Sequence, residues 1–433
     1  MIKCGDKVIL FGLSNVECRP AEHYLEEYDK DHKVQMIIDN NPDFTGEFHG
    51  IPVRPQSALA NYVNDETVTV IITARYRWEE IQKNLLEMGF SKSRIITAME
   101  DRDFSLSYSG YFYKTTYGSK PLQLDQIKIE LSVNCNCCCI YCPYYGVGGT
   151  QPERGFMNWE VLKTITEQIG KIPSITTANF TGRGEPYLHP EWYEMMEYML
   201  SNSYVENLII YTNGMLLNQD TARKLAKLPF RSLIQEVSID GETPEENNLY
   251  RIGSDYETIR RNIYDAAEIL SGRNVTFNLM NTYPVTLNYL ERNDYTIPFR
   301  GPAPEFLQRD FPAEMKKASR VTLMYTQQSR IEVNGVSLSS QKAKNAQHTN
   351  PCLCPFFYVY VTFSGDILHC FCSSDYNKRI IGNMATDDLL KIWRESVAMN
   401  DIRQHLMDGT IPEVCRYCPN CPFTEVPLAV KLE

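Results

Sequence analysis

Short apolar runs that end in polar residues alternate with amphipathic stretches through the first 270 residues, and this alternation constrains the fold most strongly. Near the start, "KVILFG", "VQMIIDN", "VTVIITA" and "RIIT" read as buried strands, with helices over "AEHYLEEYDKD" and "WEEIQKNLLEMGF". That order predicts a doubly wound sheet over residues 1–105. The polar, aromatic, glycine-bearing stretch "SLSYSGYFYKTTYGSKP" then predicts a linker over residues 106–123. Beyond it the alternation resumes. "IKIELSV" puts Ile127, Ile129, Leu131 and Val133 on one face at period two. "MNWEVLKTITEQIGKI" spaces Trp159, Leu162, Ile165, Ile169 and Ile172 as a helix behind an Asn158 cap. "NLIIYTNG" and "LIQEVSID" are further strands, and "SDYETIRRNIYDAAEIL" opens with a Ser254–Glu257 capping box. Repeated β/α units over residues 124–345 predict a full or partial parallel barrel, with its chemistry at the C-terminal ends of the strands. Residues 284–320, proline-rich and weakly periodic, are expected to form an extended loop or lid.

Cysteine placement turns this α/β architecture toward chemistry. The net charge of −11 argues against a nucleic-acid partner. The opening "MIKCGDKVILFG" lacks the apolar core of a signal peptide, and no apolar run approaches the ~18 residues of a membrane helix. A soluble, cytoplasmic protein is therefore expected, and in a reducing compartment clustered cysteines more often bind metal than form disulfides. Of 14 cysteines, five lie between Cys135 and Cys142 and seven between Cys352 and Cys421. Cys4 and Cys18 remain, and read as buried thiols. Two metal centres are expected. Cys135, Cys139 and Cys142 follow a predicted strand with the spacing C-x3-C-x2-C. Three thiolates on one loop can hold three irons of a cubane cluster and leave the fourth open to a chelating substrate. A zinc knot is the competing explanation for this motif taken alone.

That motif, with the aromatic Tyr141 before its last cysteine, resembles the signature of the radical S-adenosylmethionine (SAM) superfamily. Later motifs follow in the family's order. "TGRGEP", with Gly182, Gly184 and Glu185, resembles the element whose backbone and carboxylate bind the SAM ammonium, although Arg183 departs from the commonest double glycine. Thr212 and Asn213 in "YTNG", and Ser238 and Asp240 in "SIDG", match positions that contact the ribose and carboxylate. Arg251 in "LYRIG" matches an arginine that pairs with the methionine carboxylate, a bidentate task suited to guanidinium. The resemblance implies a SAM-binding 4Fe–4S cluster on Cys135, Cys139 and Cys142, and an external electron donor such as flavodoxin or ferredoxin. Cys137 and Cys138 become replaceable loop residues, and His189 and Trp393 become structural.

Residues 346–433, with "CLCPF", "SGDILHC" and "VCRYCPNC", resemble the SPASM/Twitch auxiliary-cluster domain of the same superfamily. This implies an auxiliary 4Fe–4S cluster on Cys352, Cys370, Cys415 and Cys418, with Cys354, Cys372 and Cys421 as alternatives. A zinc ribbon would use the same C-x2-C pair. Residues 1–105 resemble the small Rossmann-like domain of some sugar- and polysaccharide-biosynthesis enzymes, through Asp39, Asn40, Asn41 and Pro42. Asp39 is suitably placed to meet a ribose, but "FGLSNVEC" has Ser14 and Glu17 where a dinucleotide motif needs glycines, so a recognition or docking role is expected. The fold class is thus α/β: a Rossmann-like domain, a partial (β/α)6 barrel and a small iron–sulfur domain. The expected activity is radical oxidation or epimerisation of a sugar-like or other small polar metabolite, with the auxiliary cluster as electron acceptor. A peptide-modifying maturase is the alternative enzyme, and an iron–sulfur or zinc interaction protein the non-enzymatic alternative. No catalytic acid or base is identifiable.

Overall fold

The computed structural model describes residues 6–13, 19–41, 46–74, 78–98, 101–117, 122–139, 142, 144–146, 151–241, 243–281, 305–311, 321–325, 331–333, 336–338, 354–370, 379–410 and 412–415. The first unit comprises β1 (Lys7–Phe11), α1 (Arg19–Glu27), β2 (Val34–Ile38), β3 (Gly46–Phe48), β4 (Ile51–Arg54), β5 (Val68–Ile72), α2 (Trp78–Glu87) and β6 (Ile95–Thr97). Its strands run in the order β3-β4-β2-β1-β5-β6, parallel except where β3 meets β4. β1 and β5 are buried along nearly their whole length, as a strand covered on both faces must be. Gly12 ends β1 at φ 104°, and a Cβ there would lie 2.6 Å from the Cβ of Ala74. Asp39, half-buried at the end of β2, is engaged by the backbone. Its Oδ2 accepts the Leu13 N–H at 2.8 Å and its Oδ1 the Asn41 N–H at 2.8 Å, so the carboxylate ties the two turns together.

Residues 106–117 depart from the linker expected over 106–123. α3 (Arg102–Tyr117) is a helix of 16 residues. Phe104, Tyr108, Phe112 and Tyr113 fall at helical spacing and are buried, because this stripe packs the first sheet against the C-terminal helices. The aromatic content that resembled a linker is a core face.

The central unit contains β7 (Gln126–Ile129), β8 (Cys138–Cys139), α4 (Trp159–Ile169), β9 (Thr177–Phe180), α5 (Trp192–Asn202), β10 (Asn207–Thr212), α6 (Gln219–Lys227) and β11 (Ser232–Ser238). It continues with α7 (Pro244–Tyr250), β12 (Arg251–Ile252), α8 (Tyr256–Ile269), β13 (Val275–Asn281), α9 (Glu305–Asp310), β14 (Val321–Tyr325), β15 (Ile331–Val333) and β16 (Val336–Leu338). β7, β9, β10, β11, β13 and β14 are parallel neighbours in chain order, the pattern of a partial (β/α)6 barrel. Asn158 caps α4 as expected, its side chain accepting the Val161 N–H at 2.9 Å. The α8 cap is Asp255, one residue beyond the expected Ser254, because the Ser254 hydroxyl is turned to the Asn247 amide. Most of residues 284–320, the expected loop or lid, lies outside the described residues.

The C-terminal segment supplies α10 (Cys354–Phe357), β17 (Tyr358–Val361), β18 (Asp366–Leu368), β19 (Ile380–Asn383), α11 (Leu389–Glu395) and α12 (Val397–Met407). β17 pairs in parallel with β7, so these strands extend the barrel sheet to nine strands. Trp393 is fully buried and its indole N–H donates to the Tyr358 carbonyl at 3.2 Å, the expected core role. Among the described residues no helix is long and apolar enough to cross a membrane.

Candidate active site

Strand ends bring the predicted motifs to one rim. Cys135 lies in the loop that follows β7, and Cys139 is fixed where β8 pairs antiparallel with β12, opposite Arg251. The Cys142 N–H donates to the Cys139 carbonyl at 2.9 Å, which folds the third cysteine back toward the second. The Cys137 N–H points at the Cys135 sulfur at 3.5 Å, and the Tyr145 N–H at the Cys142 sulfur at 3.4 Å. Hydrogen bonding from Cys137 holds the Cys135 thiol down at about 6, whereas burial pushes Cys139 up to about 11 and also raises Cys142. Soft thiols on one loop, with N–H groups already aimed at two of the sulfurs, suit an iron–sulfur cluster. Tyr141 lies outside the described residues. Cys138 is exposed and Cys137 buried.

Each later motif is tied to that loop. The Glu185 N–H donates to the Asn134 carbonyl at 2.8 Å, one residue before Cys135. Gly184 passes so near that a Cβ would fall 2.4 Å from that same carbonyl oxygen, which forbids any side chain. Gly182 is equally close to Glu130, at 2.6 Å from its Cγ. Glu185 is buried and accepts the Thr212 hydroxyl at 2.8 Å and the Asn213 N–H at 2.7 Å. Burial pushes its carboxyl up to about 7 against those bonds. The Asn213 amide in turn donates to Asn136 at 2.7 Å, inside the cysteine loop. Asp240 is fully buried and receives Arg251 Nη1 at 2.8 Å. Arg251 therefore contacts both the "SIDG" turn and the Cys139 strand, and Ser238 ends β11 half-buried beside them.

One expectation is refined. Arg183, the departure from the double-glycine form, forms a buried fork with Glu130, Nε to Oε1 at 2.9 Å and Nη2 to Oε2 at 2.6 Å. The Tyr360 hydroxyl also donates to Glu130, at 3.1 Å, joining the rim to β17. Sequence reasoning missed Glu130, Asn134 and Asn136. Glu130 carried a signal nonetheless, as a charge inside the otherwise apolar alternation of "IKIELSV". His189 is structural as expected: its Nδ1 accepts the Glu191 N–H at 3.1 Å and its Nε2 meets the Met157 carbonyl at 2.8 Å. Of the auxiliary set, Cys370 is buried after β18 and Cys415 ends a short 3₁₀ turn, while Cys352, Cys372, Cys418 and Cys421 lie outside the described residues. Cys354 begins α10 against the Tyr358 hydroxyl.

Residues 129–292 match the model of the radical SAM superfamily, and residues 352–422 match the SPASM iron–sulfur cluster-binding domain. The chain carries a radical SAM domain and a SPASM domain. The radical SAM domain implies a 4Fe–4S cluster and SAM, and the SPASM domain implies auxiliary iron–sulfur binding. Curated relatives include a GTP 3′,8-cyclase of Thermodesulfovibrio yellowstonii, 28% identical over 30% of this chain and 38% of its own. An S-adenosyl-L-methionine-dependent 2-deoxy-scyllo-inosamine dehydrogenase of Niallia circulans is 22% identical over 68% of this chain and 93% of its own. The match thus spans well under two thirds of the first of these relatives. Similar solved structures include BtrN in complex with AdoMet and 2-DOIA (20% identity, TM-score 0.39, 67% of this chain and 89% of that one). Streptococcus suis SuiB is another (13% identity, TM-score 0.45, 95% and 93%).

Proposed function

We propose that this radical SAM enzyme is an oxidoreductase of a small, polar, hydroxyl-bearing metabolite, with epimerisation as the related outcome. Cys135, Cys139 and Cys142 would hold the SAM-binding cluster. Gly182, Gly184, Glu185, Thr212, Asn213, Ser238, Asp240 and Arg251, with Tyr141, would form the SAM seat. Cys352, Cys370, Cys415 and Cys418 would hold an auxiliary 4Fe–4S cluster. When bound, the reduced cluster and SAM supply a radical that abstracts hydrogen from substrate. A flavodoxin or ferredoxin would be the electron donor.

The carrying observation is the hydrogen-bonded continuity from Asn134 and Asn136 through Glu185 and Asn213, which closes the cysteine loop over the strand ends. The protein's share of the work is placement. Glu185 fixes two turns at once, and Arg251 locks Asp240 to the Cys139 strand. The dehydrogenase relative supports the small-molecule substrate class.

The test is anaerobic turnover with dithionite, SAM and a mixture of aminocyclitols and amino sugars, followed by mass spectrometry. Formation of 5′-deoxyadenosine together with a product two hydrogens lighter is expected. Absence of 5′-deoxyadenosine under these conditions would contradict the enzymatic reading, and its formation only with a peptide substrate would favour a maturase.

A further inference from the structure

The barrel's two faces have opposite character. Ile127, Ile129, Ala178, Phe180, Leu208, Ile210, Leu233, Val237, Phe277 and Leu279 pack into the helix-facing core. By strand alternation, Lys128, Asn179, Tyr211, Glu236 and Asn278 point the other way, into the lumen. Register places them side by side: Lys128 beside Asn179, Tyr211 beside Glu236, and Glu236 beside Asn278. A barrel that serves only as a scaffold fills this space with bulky branched side chains. Here Ile209 and Ile234 also face inward, and they share the lining with amides and charge.

Within that lining two acceptors meet no donor among the described residues. Glu236 is 7% exposed, and its Oε1 takes the Asn278 amide at 3.1 Å while its Oε2 has no hydrogen-bond partner. Asn179 is 3% exposed and its Oδ1 is likewise unmet. Leaving such a group unmade is costly, more so for a carboxylate, so evolved cores seldom retain one without a use. Burial raises the Glu236 carboxyl, as expected for a carboxylate lacking a cation beside it. Glu236 lies on β11 one inward-facing position before Ser238 and two before Asp240, hence deeper than the proposed SAM seat.

We propose that Glu236, oriented by Asn278, and Asn179 form the substrate subsite of the barrel lumen, accepting hydrogen bonds from at least two hydroxyl or ammonium groups of an amino sugar or aminocyclitol. This rests on the radical SAM oxidoreductase reading and specifies the chemistry its substrate must present. Glu236 is a binding residue in this assignment, with its second oxygen reserved for a substrate donor.

The test uses the reconstituted full-length protein, with and without SAM, titrated calorimetrically with 2-deoxy-scyllo-inosamine, glucosamine and myo-inositol. Glu236→Gln keeps an acceptor for Asn278 and removes the charge. It is expected to weaken the binding of at least one probe tenfold or more, with SAM affinity unchanged and the melting temperature equal to or above that of the wild type. Asn179→Ala should weaken the same probe independently. A lowered melting temperature with unaltered probe affinity would overturn the proposal by making Glu236 structural. Lost SAM affinity in Glu236→Gln would overturn it by moving the residue into the SAM seat, and failure of all three probes to bind the wild type at millimolar concentration would overturn the substrate class. Failure of the wild type to bind SAM would instead sink the radical SAM reading, while probe binding stays separately measurable.

Discussion

Glu185 receives a backbone N–H and a hydroxyl on a carboxyl that burial pushes up to about 7. Glu185→Gln turns an NH2 group against one of those donors. It should lower stability by about 1–3 kcal/mol, the cost of a buried mismatch, and weaken SAM binding at least tenfold, measured by thermal denaturation and equilibrium titration. The neighbouring cysteines divide by role. Cys138→Ser, at an exposed position, should retain all iron, and Cys137→Ser should retain the cluster because the residue contributes its backbone N–H to Cys135. Loss of iron from either variant would reassign the ligands. The proposed division rests on "NCNCCCIYC" itself, because ligand spacing is local, and these variants are its test. The use of Gly184 was legible only as a motif, since its neighbour is the Asn134 carbonyl on another loop, and no local pattern reports so distant a contact.

The third helix shows where element-scale reading falters. "SLSYSGYFYKTTYGSKP" carries the serines and glycine of a linker, yet tertiary burial overrides those propensities once Tyr108, Phe112 and Tyr113 have a partner surface. That surface includes Phe356, Ile402 and Leu406, more than two hundred residues later in the chain. Phe104→Ala should cost about 3–5 kcal/mol, as for other large buried aromatics, read by denaturant titration. The same helix encloses His23, whose ring lies 5.3 Å from Phe104 and 4.9 Å from Tyr111, with neither ring nitrogen hydrogen-bonded among the described residues. Burial lowers its pKa to about 4, so it stays neutral in the fold while the unfolded chain protonates near its ordinary 6.5. Stability from this group is therefore present above pH 6.5 and falls as the pH drops toward 4, by about 3 kcal/mol in all. His23→Leu should flatten the fall in melting temperature across that window, and an unchanged slope would place the proton elsewhere.

Across the whole molecule, the parallel barrel was readable from its strand–helix alternation, since periodicity survives without knowledge of partners. The pairing of β17 with β7 was not, because register between segments far apart in the chain leaves no local trace. That junction binds the two iron–sulfur domains through one sheet, and Glu130 joins it to the rim by accepting both Arg183 and Tyr360. Glu130→Ala should take the carboxylate away from the nearly buried Arg183 guanidinium, at a cost of about 3–5 kcal/mol read by thermal denaturation. The central claim is that two separate sets of cysteines hold two clusters, the first on Cys135, Cys139 and Cys142. Its most direct test is an iron count after anaerobic reconstitution, with the wild type compared to the variant in which those three are alanine. About eight irons should fall to about four, two cubanes becoming one. Retention of the full complement, or zinc in place of iron at the C-terminal cysteines, would contradict the account.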